Sequence, residues 1–330
     1  MLMDRHGRTV SYLRLSVTDR CNLRCLYCRP AEAISFIPHE RVLSYEEMIE
    51  IVAAAQELGV HKVRLTGGEP FARKDFVPFV ARLHARFPKL DLRITTNATL
   101  LAGRMPELRD AGVRTVNISL DTLSPRTFAQ ITGVDAHRVV LAAIEEALAS
   151  GIRVKINAVA LRGINDTELP AFVDFARTYG VDVRFIEFMP IGYQCRWTEE
   201  NFWSAEEIVA AFHAMETLRP ETNTEPHSGP ARMYRIIGSQ GRFGVISAVS
   251  HHFCASCNRL RVTCEGRLRT CLFSDEEYDV ADVLRRPDYQ RTQLLELFQR
   301  ANAAKPLGYE LLAARKRNNV CQRVMTTIGG

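Results

Sequence analysis

Short apolar runs recur along the chain at intervals of about thirty residues, and a stretch with helical period follows most of them. Six such runs read as strands: Tyr12 to Val17, Lys62 to Thr66, Leu92 to Thr96, Thr115 to Leu120, Val154 to Val159 and Val183 to Phe188. The first helix opens at Ser44 with Glu47 three residues on, a capping box. It carries Met48, Ile51, Val52, Ala55 and Leu58 on one face and stops at Gly59. Similar patterns predict helices over Phe76 to Arg86, His137 to Ser150 and Thr167 to Tyr179. Strand–helix alternation of this regularity predicts an α/β protein with a parallel sheet, and such sheets carry reactive groups at the carboxyl ends of their strands. Polar residues stand at those ends: Asp19 and three cysteines after the first run, Gly67-Gly68-Glu69 after the second, then Thr95, Thr96 and Asn97. Ser119 and Asp121, Asn157 and Met189 complete the set. Eight units close a full barrel, whereas six are legible here, so the expected fold is an incomplete (βα)6 TIM-type barrel with a C-terminal region covering its open side.

That region begins near Glu216, where residues through Pro230 read as loop and the strand–helix rhythm breaks down. The expected division is 1–215 for the barrel and 216–330 for the remainder, with short strands at Met233 to Ile237, Phe243 to Ser247 and Arg259 to Thr263, then helices through Leu311. With 46% hydrophobic and 25% charged residues, the 330-residue chain has the composition of a globular protein. No run approaches the ~18 apolar residues of a spanning helix, which with the polar start MLMDRHGRTV leads to the expectation of a cytoplasmic location. The net charge of +5 sits mostly in residues 250–330, where thirteen Lys and Arg face nine Asp and Glu, a balance suited to an anionic ligand rather than a nucleic-acid groove.

Nine cysteines are many for a reducing compartment and, being odd in number, cannot all pair. Cys21, Cys25 and Cys28 follow the first strand in Cys-x3-Cys-x2-Cys spacing. Three thiolates on a four-iron cluster leave one iron open for a ligand, while a structural zinc site wants a fourth, for which His39 or a distant cysteine is available. Cys254, Cys257 and Cys271 form a second three-thiolate group, with His251, His252 or Cys264 as fourth ligand on a zinc reading. Arg259 and Arg261 lie between them, two apart in an extended segment and so on one face, an arrangement suited to phosphate oxygens.

The first triplet, with Tyr27 before its last cysteine, resembles the defining motif of the radical S-adenosylmethionine (SAM) superfamily. Together with RLTGGEP, IEFMPIG, CxxCNRLR and the terminal IGG, the chain resembles the GTP 3′,8-cyclase family of molybdenum cofactor biosynthesis. The resemblance implies two [4Fe–4S] clusters, on Cys21, Cys25 and Cys28 and on Cys254, Cys257 and Cys271, with SAM on the open iron of the first. It implies SAM contacts from Tyr27, Gly68, Ser119 and Met189. GTP contacts are implied from Arg14, Arg64, Thr95, Lys155, Arg259 and Arg261, with Arg14, Arg259 and Arg261 as catalytic residues and Gly329-Gly330 entering the site. A homodimer and hand-off of the product to the cyclic pyranopterin monophosphate synthase are further implied; nothing in the sequence names the electron donor. Ala98 departs from the family, which commonly has glycine after Thr-Thr-Asn. Two other readings stay open: a peptide-modifying radical SAM enzyme with an auxiliary cluster, and a zinc-stabilised nucleic-acid-binding protein.

Overall fold

A computed structural model of the chain describes residues 1–28, 36–192, 195–215, 218–221, 229–314 and 320–329. A small hairpin of β1 (Leu2–Met3) and β2 (Thr9–Val10) precedes the main sheet. The six expected barrel strands are β3 (Tyr12–Ser16), β4 (Lys62–Thr66), β5 (Asp91–Thr96), β6 (Thr115–Ser119), β7 (Arg153–Ala160) and β8 (Asp182–Glu187). Each pairs in parallel with the next. Six helices connect them: α1 (Tyr45–Glu57), α2 (Phe76–Arg86), α3 (Met105–Asp110), the pair α4 (Pro125–Thr132) and α5 (His137–Ala149), and α6 (Leu169–Tyr179) after β7. The capping box of α1 forms as read, Ser44 accepting from the Glu47 amide while Glu47 accepts from the Ser44 amide. The short helices α3 and α4 have too few turns to show a periodic stripe, and the sequence reading passed over them.

After α7 (Ala205–Met215) the chain lays down β9 (Leu218–Glu221), β10 (Arg232–Ile236), β11 (Arg242–Ile246), β12 (Arg259–Val262), β13 (Arg267–Arg269) and β14 (Tyr278–Asp279). It ends in α8 (Val280–Leu284), α9 (Arg291–Ala303), α10 (Gly308–Ala314) and α11 (Met325–Ile328). The region expected to be loop from Glu216 to Pro230 therefore contains β9, an edge strand against β10 whose Pro220 is tolerated because an edge has no neighbour on one side. Residues 222–228 of that expected loop lie outside the described residues.

The strand order, β14-β13-β12-β3-β4-β5-β6-β7-β8-β11-β10-β9, places C-terminal strands on both edges of the six-stranded core. Both edge junctions are parallel, β12 with β3 and β11 with β8, so eight parallel strands stand side by side in a barrel that does not close. The parallel rhythm that fades in the sequence after residue 216 thus continues in space: β11 is reached from β8 through α7, which packs against both strands, while β12 returns to the far side of β3. Along these strands the apolar members, such as Leu13, Leu15, Val63, Leu65, Val116, Ile118, Val183 and Phe185, are buried in the main core. The alternate positions are polar and face the barrel interior.

Candidate functional site

Register turns those inward positions into rows. Arg261, Arg14, Arg64 and Arg93 are successive neighbours across β12, β3, β4 and β5. Thr95, Asn117 and Lys155 are neighbours across β5, β6 and β7, and Ser119, Asn157 and Arg184 across β6, β7 and β8. All of them line one cavity, together with Cys21, Cys25 and Cys28 at one end and Cys254, Cys257 and Cys271 at the other. Tyr27, Gly68, Met189 and Arg259 line it too, so the expected cysteine, SAM and GTP residues share a single space, whereas Gly329 is not part of its lining. His39, His251, His252 and Cys264 stand off that wall: His251 pairs with Glu206, His252 stacks on Tyr309 with ring centroids 5.7 Å apart, and Cys264 is buried.

The first cysteine loop is pinned from below by backbone bonds from Arg24 to Thr132 (2.8 Å) and Leu26 to Ile131 (2.9 Å), at the end of α4. Gly67 and Gly68 are required by packing. A Cβ on Gly67 would stand 2.3 Å from the Thr18 carbonyl oxygen, and one on Gly68 2.2 Å from that of Arg20, so the segment leading to Cys21 runs directly over them. Glu69, which the sequence reading noted but gave no role, is fully buried. It accepts from the Phe71 and Asn97 amides and the Thr96 hydroxyl, tying the end of β4 to the end of β5. Burial pushes its carboxyl up to about 7 despite those bonds. Tyr27 donates its hydroxyl to Asp121 Oδ2 at 2.7 Å, and the Val159 amide donates to Asp121 Oδ1 at 2.8 Å; burial raises this carboxyl to about 6. Ala98 adopts φ +64°, the left-handed region, which explains the family's preference for glycine there.

The floor is crowded with cations. Arg64 donates from Nε to the Tyr12 hydroxyl and from Nη1 to Thr95 Oγ1 at 3.1 Å. Burial alone raises the Tyr12 phenol, but Arg64, Arg14 and Arg259 outweigh it and pull it down to about 7. Burial and then Arg184 lower the Lys155 ammonium to about 7 against the pull of Asp182, 3.5 Å away. Arg184 was missed by the sequence reading. Its guanidinium is buried, lowered to about 9 by that burial, and among the described residues its Nε and Nη2 have no hydrogen-bond partner. Donors left this way call for an anionic ligand. Lys62, Arg93, Asn117 and Asn157 join it on the same wall. Asn157 was expected at its strand end; the signal for the other four was available as alternate polar residues inside runs that a helix-covered parallel sheet ordinarily fills with apolar ones.

At the far end, Arg261 donates from Nη1 to the Gly329 carbonyl at 2.7 Å, bringing the end of the chain to the cavity floor; Gly330 lies outside the described residues. Arg259 differs from Arg261 in that its side chain hydrogen-bonds the Cys257 thiol. Gly308 meets the same group: a Cβ there would lie 2.9 Å from Cys271 Sγ and 3.6 Å from Cys254 Sγ. Within each cysteine group, the thiols lie near enough to disfavour one another's ionisation, yet among the described residues no three His, Cys, Asp or Glu converge on a common ion position. The donor set, all sulfur, is that of an iron–sulfur cluster.

Comparison with known proteins agrees with this geometry. The family model described as Radical SAM superfamily matches residues 15–176, and that described as Molybdenum Cofactor Synthesis C matches residues 181–311. The GTP 3′,8-cyclase of Desulforamulus reducens is 40% identical over 330 residues, covering 100% of both chains, and that of Geobacter sulfurreducens is 42% identical over 335 residues, covering 100% of this chain and 99% of its own. Among solved structures, Streptococcus suis SuiB bound to S-adenosylmethionine superposes with a TM-score of 0.62 at 14% identity, covering 98% of this chain and 79% of that one. AnSMEcpe with bound AdoMet gives a TM-score of 0.57 at 15% identity, covering 91% and 82%. These two likenesses establish the fold, an α/β partial barrel of the radical SAM type. Full-length identity at this level settles the rest: the chain belongs to the GTP 3′,8-cyclase family of radical SAM enzymes.

Proposed function

We propose that this chain converts GTP to 3′,8-cyclo-7,8-dihydro-GTP, the first step of molybdenum cofactor biosynthesis, at the single cavity between its two cysteine groups. The observation that carries the reading is the row of arginines across β12, β3, β4 and β5 on the wall of a cavity that both cysteine groups also line, a polyanion site beside two three-sulfur groups. Cys21, Cys25 and Cys28 would hold a [4Fe–4S] cluster and SAM, and Cys254, Cys257 and Cys271 a second. When bound, the reduced first cluster and SAM supply the radical that removes a ribose hydrogen.

The chain's own groups bind, orient and exclude water. Tyr27, Gly68, Ser119 and Met189 border the SAM position, where the Asp121 carboxylate suits a cationic ligand. Arg14, Arg64, Lys155, Arg184, Arg259 and Arg261 hold the triphosphate, and Thr95 fixes the Arg64 fork. The contact from Arg261 to Gly329 orients that guanidinium across the floor. Residues 1–215 form the SAM-binding part and 216–330 the part that carries the second group, and the enzyme acts as a homodimer that passes its product to the cyclic pyranopterin monophosphate synthase. Among the described residues no helix is long and apolar enough to cross a membrane, in keeping with a cytoplasmic enzyme.

The test is anaerobic reconstitution with iron and sulfide, then incubation with SAM and dithionite, with and without GTP. The expected result is 5′-deoxyadenosine that rises with GTP, beside a product isomeric with dihydro-GTP. SAM cleavage without nucleotide conversion would discard the cyclase activity, and a preparation that binds zinc and no iron would discard the radical chemistry.

A further inference from the structure

Lys305 lies between α9 and α10 and is 1% exposed. Its ammonium donates to the Arg259 carbonyl at 2.8 Å and to the Thr270 carbonyl. Those two carbonyls flank the second cysteine group: Arg259 is two residues after Cys257, and Thr270 immediately precedes Cys271. One buried side chain thus ties together the two limbs on which the thiols sit.

Carbonyl dipoles solvate an ammonium but do not neutralise it, and a buried charge without a counter-charge costs several kcal/mol. Among the described residues no carboxylate pairs with Lys305; the groups whose field favours its ammonium are Cys257 and Cys271, both of them expected ligands of the second cluster. Arg8, the neighbouring cation, presents a contrast. It donates to the carbonyls of Cys254 (2.9 Å), Lys305 (3.0 Å) and Pro306 (3.1 Å), but its Nε is already paired with Asp4 at 2.5 Å. Arg8 brings its own counter-ion and Lys305 does not.

Resting on the two-cluster reading above, we propose that Lys305 is the built-in counter-charge of the second cysteine group, a positioning residue that holds its two limbs together and raises the reduction potential of the cluster bound there. Removing one positive charge from a low-dielectric site beside an anionic cluster favours the oxidised state, so the potential moves in the negative direction.

The experiment uses the full chain with Cys21, Cys25 and Cys28 replaced by alanine, so that any reconstituted cluster belongs to the second group. Iron and labile sulfide are counted, and the midpoint potential is read from a redox titration followed by electron paramagnetic resonance. Lys305→Gln, which keeps donors but loses the charge, is expected to lose the cluster or to shift its midpoint negative, while Lys305→Arg keeps both content and potential near those of the parent. Should Lys305→Gln fail to fold, as judged by circular dichroism, Lys305→Met makes the same charge change and is read the same way. An unmoved potential and full iron content in the neutral variants would overturn the role of Lys305 while leaving the second cluster in place. A parent background that binds no cluster at all, beside a wild type that does, would overturn the two-cluster reading and this inference with it.

Discussion

At one end of the cavity, burial together with Asp121, Cys28 and Cys21 holds the Cys25 thiol well above its ordinary range. At the other end, burial acts on Cys257 in the same direction but is outweighed by Arg259 and Lys305, which pull its thiol down to about 6. The pull of Arg259 and Lys305 reaches Cys257, whereas burial raises the Cys254 thiol of the same group, so the two ends differ at one thiol each: Cys25 is held up and Cys257 is drawn down. The carboxylate-bearing end suits a cationic ligand, as SAM is, and the arginine-bearing end an anionic one, as a nucleotide triphosphate is. The difference teaches that ligand choice in this cavity is written in the residues around the thiols, since the thiols themselves are alike.

The comparison is broken most completely by removing a thiol from one end at a time. Cys25→Ala is expected to abolish 5′-deoxyadenosine formation, whereas Cys257→Ala keeps SAM cleavage and loses the cyclised nucleotide; chromatography of both products separates the two. Next in size, Arg261→Ala should lower nucleotide conversion at least about 100-fold with the iron content unchanged, and it is a cleaner probe than Arg259, which touches Cys257. At the carboxylate end, Asp121→Asn leaves an acceptor for Tyr27 but removes the charge. Its expected cost is about tenfold in SAM affinity, roughly 1.4 kcal/mol by titration calorimetry.

The cationic end also predicts a pH effect. Lys155 is held at about 7 by burial and Arg184, and Tyr12 is pulled to about 7 by the surrounding arginines. Bound triphosphate favours the charged ammonium and disfavours the phenolate, so binding takes up protons above pH 7 and GTP affinity falls as pH rises. Between about pH 7.5 and 9 the expected loss is several-fold per unit, steepest in wild type and flattened in Lys155→Arg combined with Tyr12→Phe. An affinity that holds level over that interval would refute the assignment of these groups to the nucleotide end. The smallest effect concerns backbone alone: Ala98→Gly relieves the left-handed strain beside the first group and should stabilise the fold by about 1 kcal/mol in thermal unfolding.

Much of this was legible in the chain because local chemistry writes it locally. Cysteine spacing, the Gly67-Gly68 turn and the capping box at Ser44 are short-range signals, and each stands where the spacing put it. What escaped was set by register. Arg184 looks like a scattered polar residue until β7 and β8 are aligned, and Lys305, one of six lysines, shows its place when the turn after α9 delivers it to carbonyls thirty-five and forty-six positions away. The parallel placement of β11 and β12 escaped for the same reason. The crossover helix of β11, α7, is separated from it by β9 and β10, β12 follows β11 with a short turn at Cys254–Ser256 between them, and their partners lie far off in the chain.

That last feature bears on how the molecule is made. The edge of β3, formed from residues 12–16, finds its partner only at residues 259–262, so during synthesis a row of unpaired amides and carbonyls beside the first cysteine loop waits for nearly the whole chain to emerge. Pairings of such separation carry a high loop-closure cost and form late. Until β12 emerges, that edge and the three thiols beside it stand open, and a chaperone that shields strand edges is expected to raise the yield of folded, cluster-competent protein.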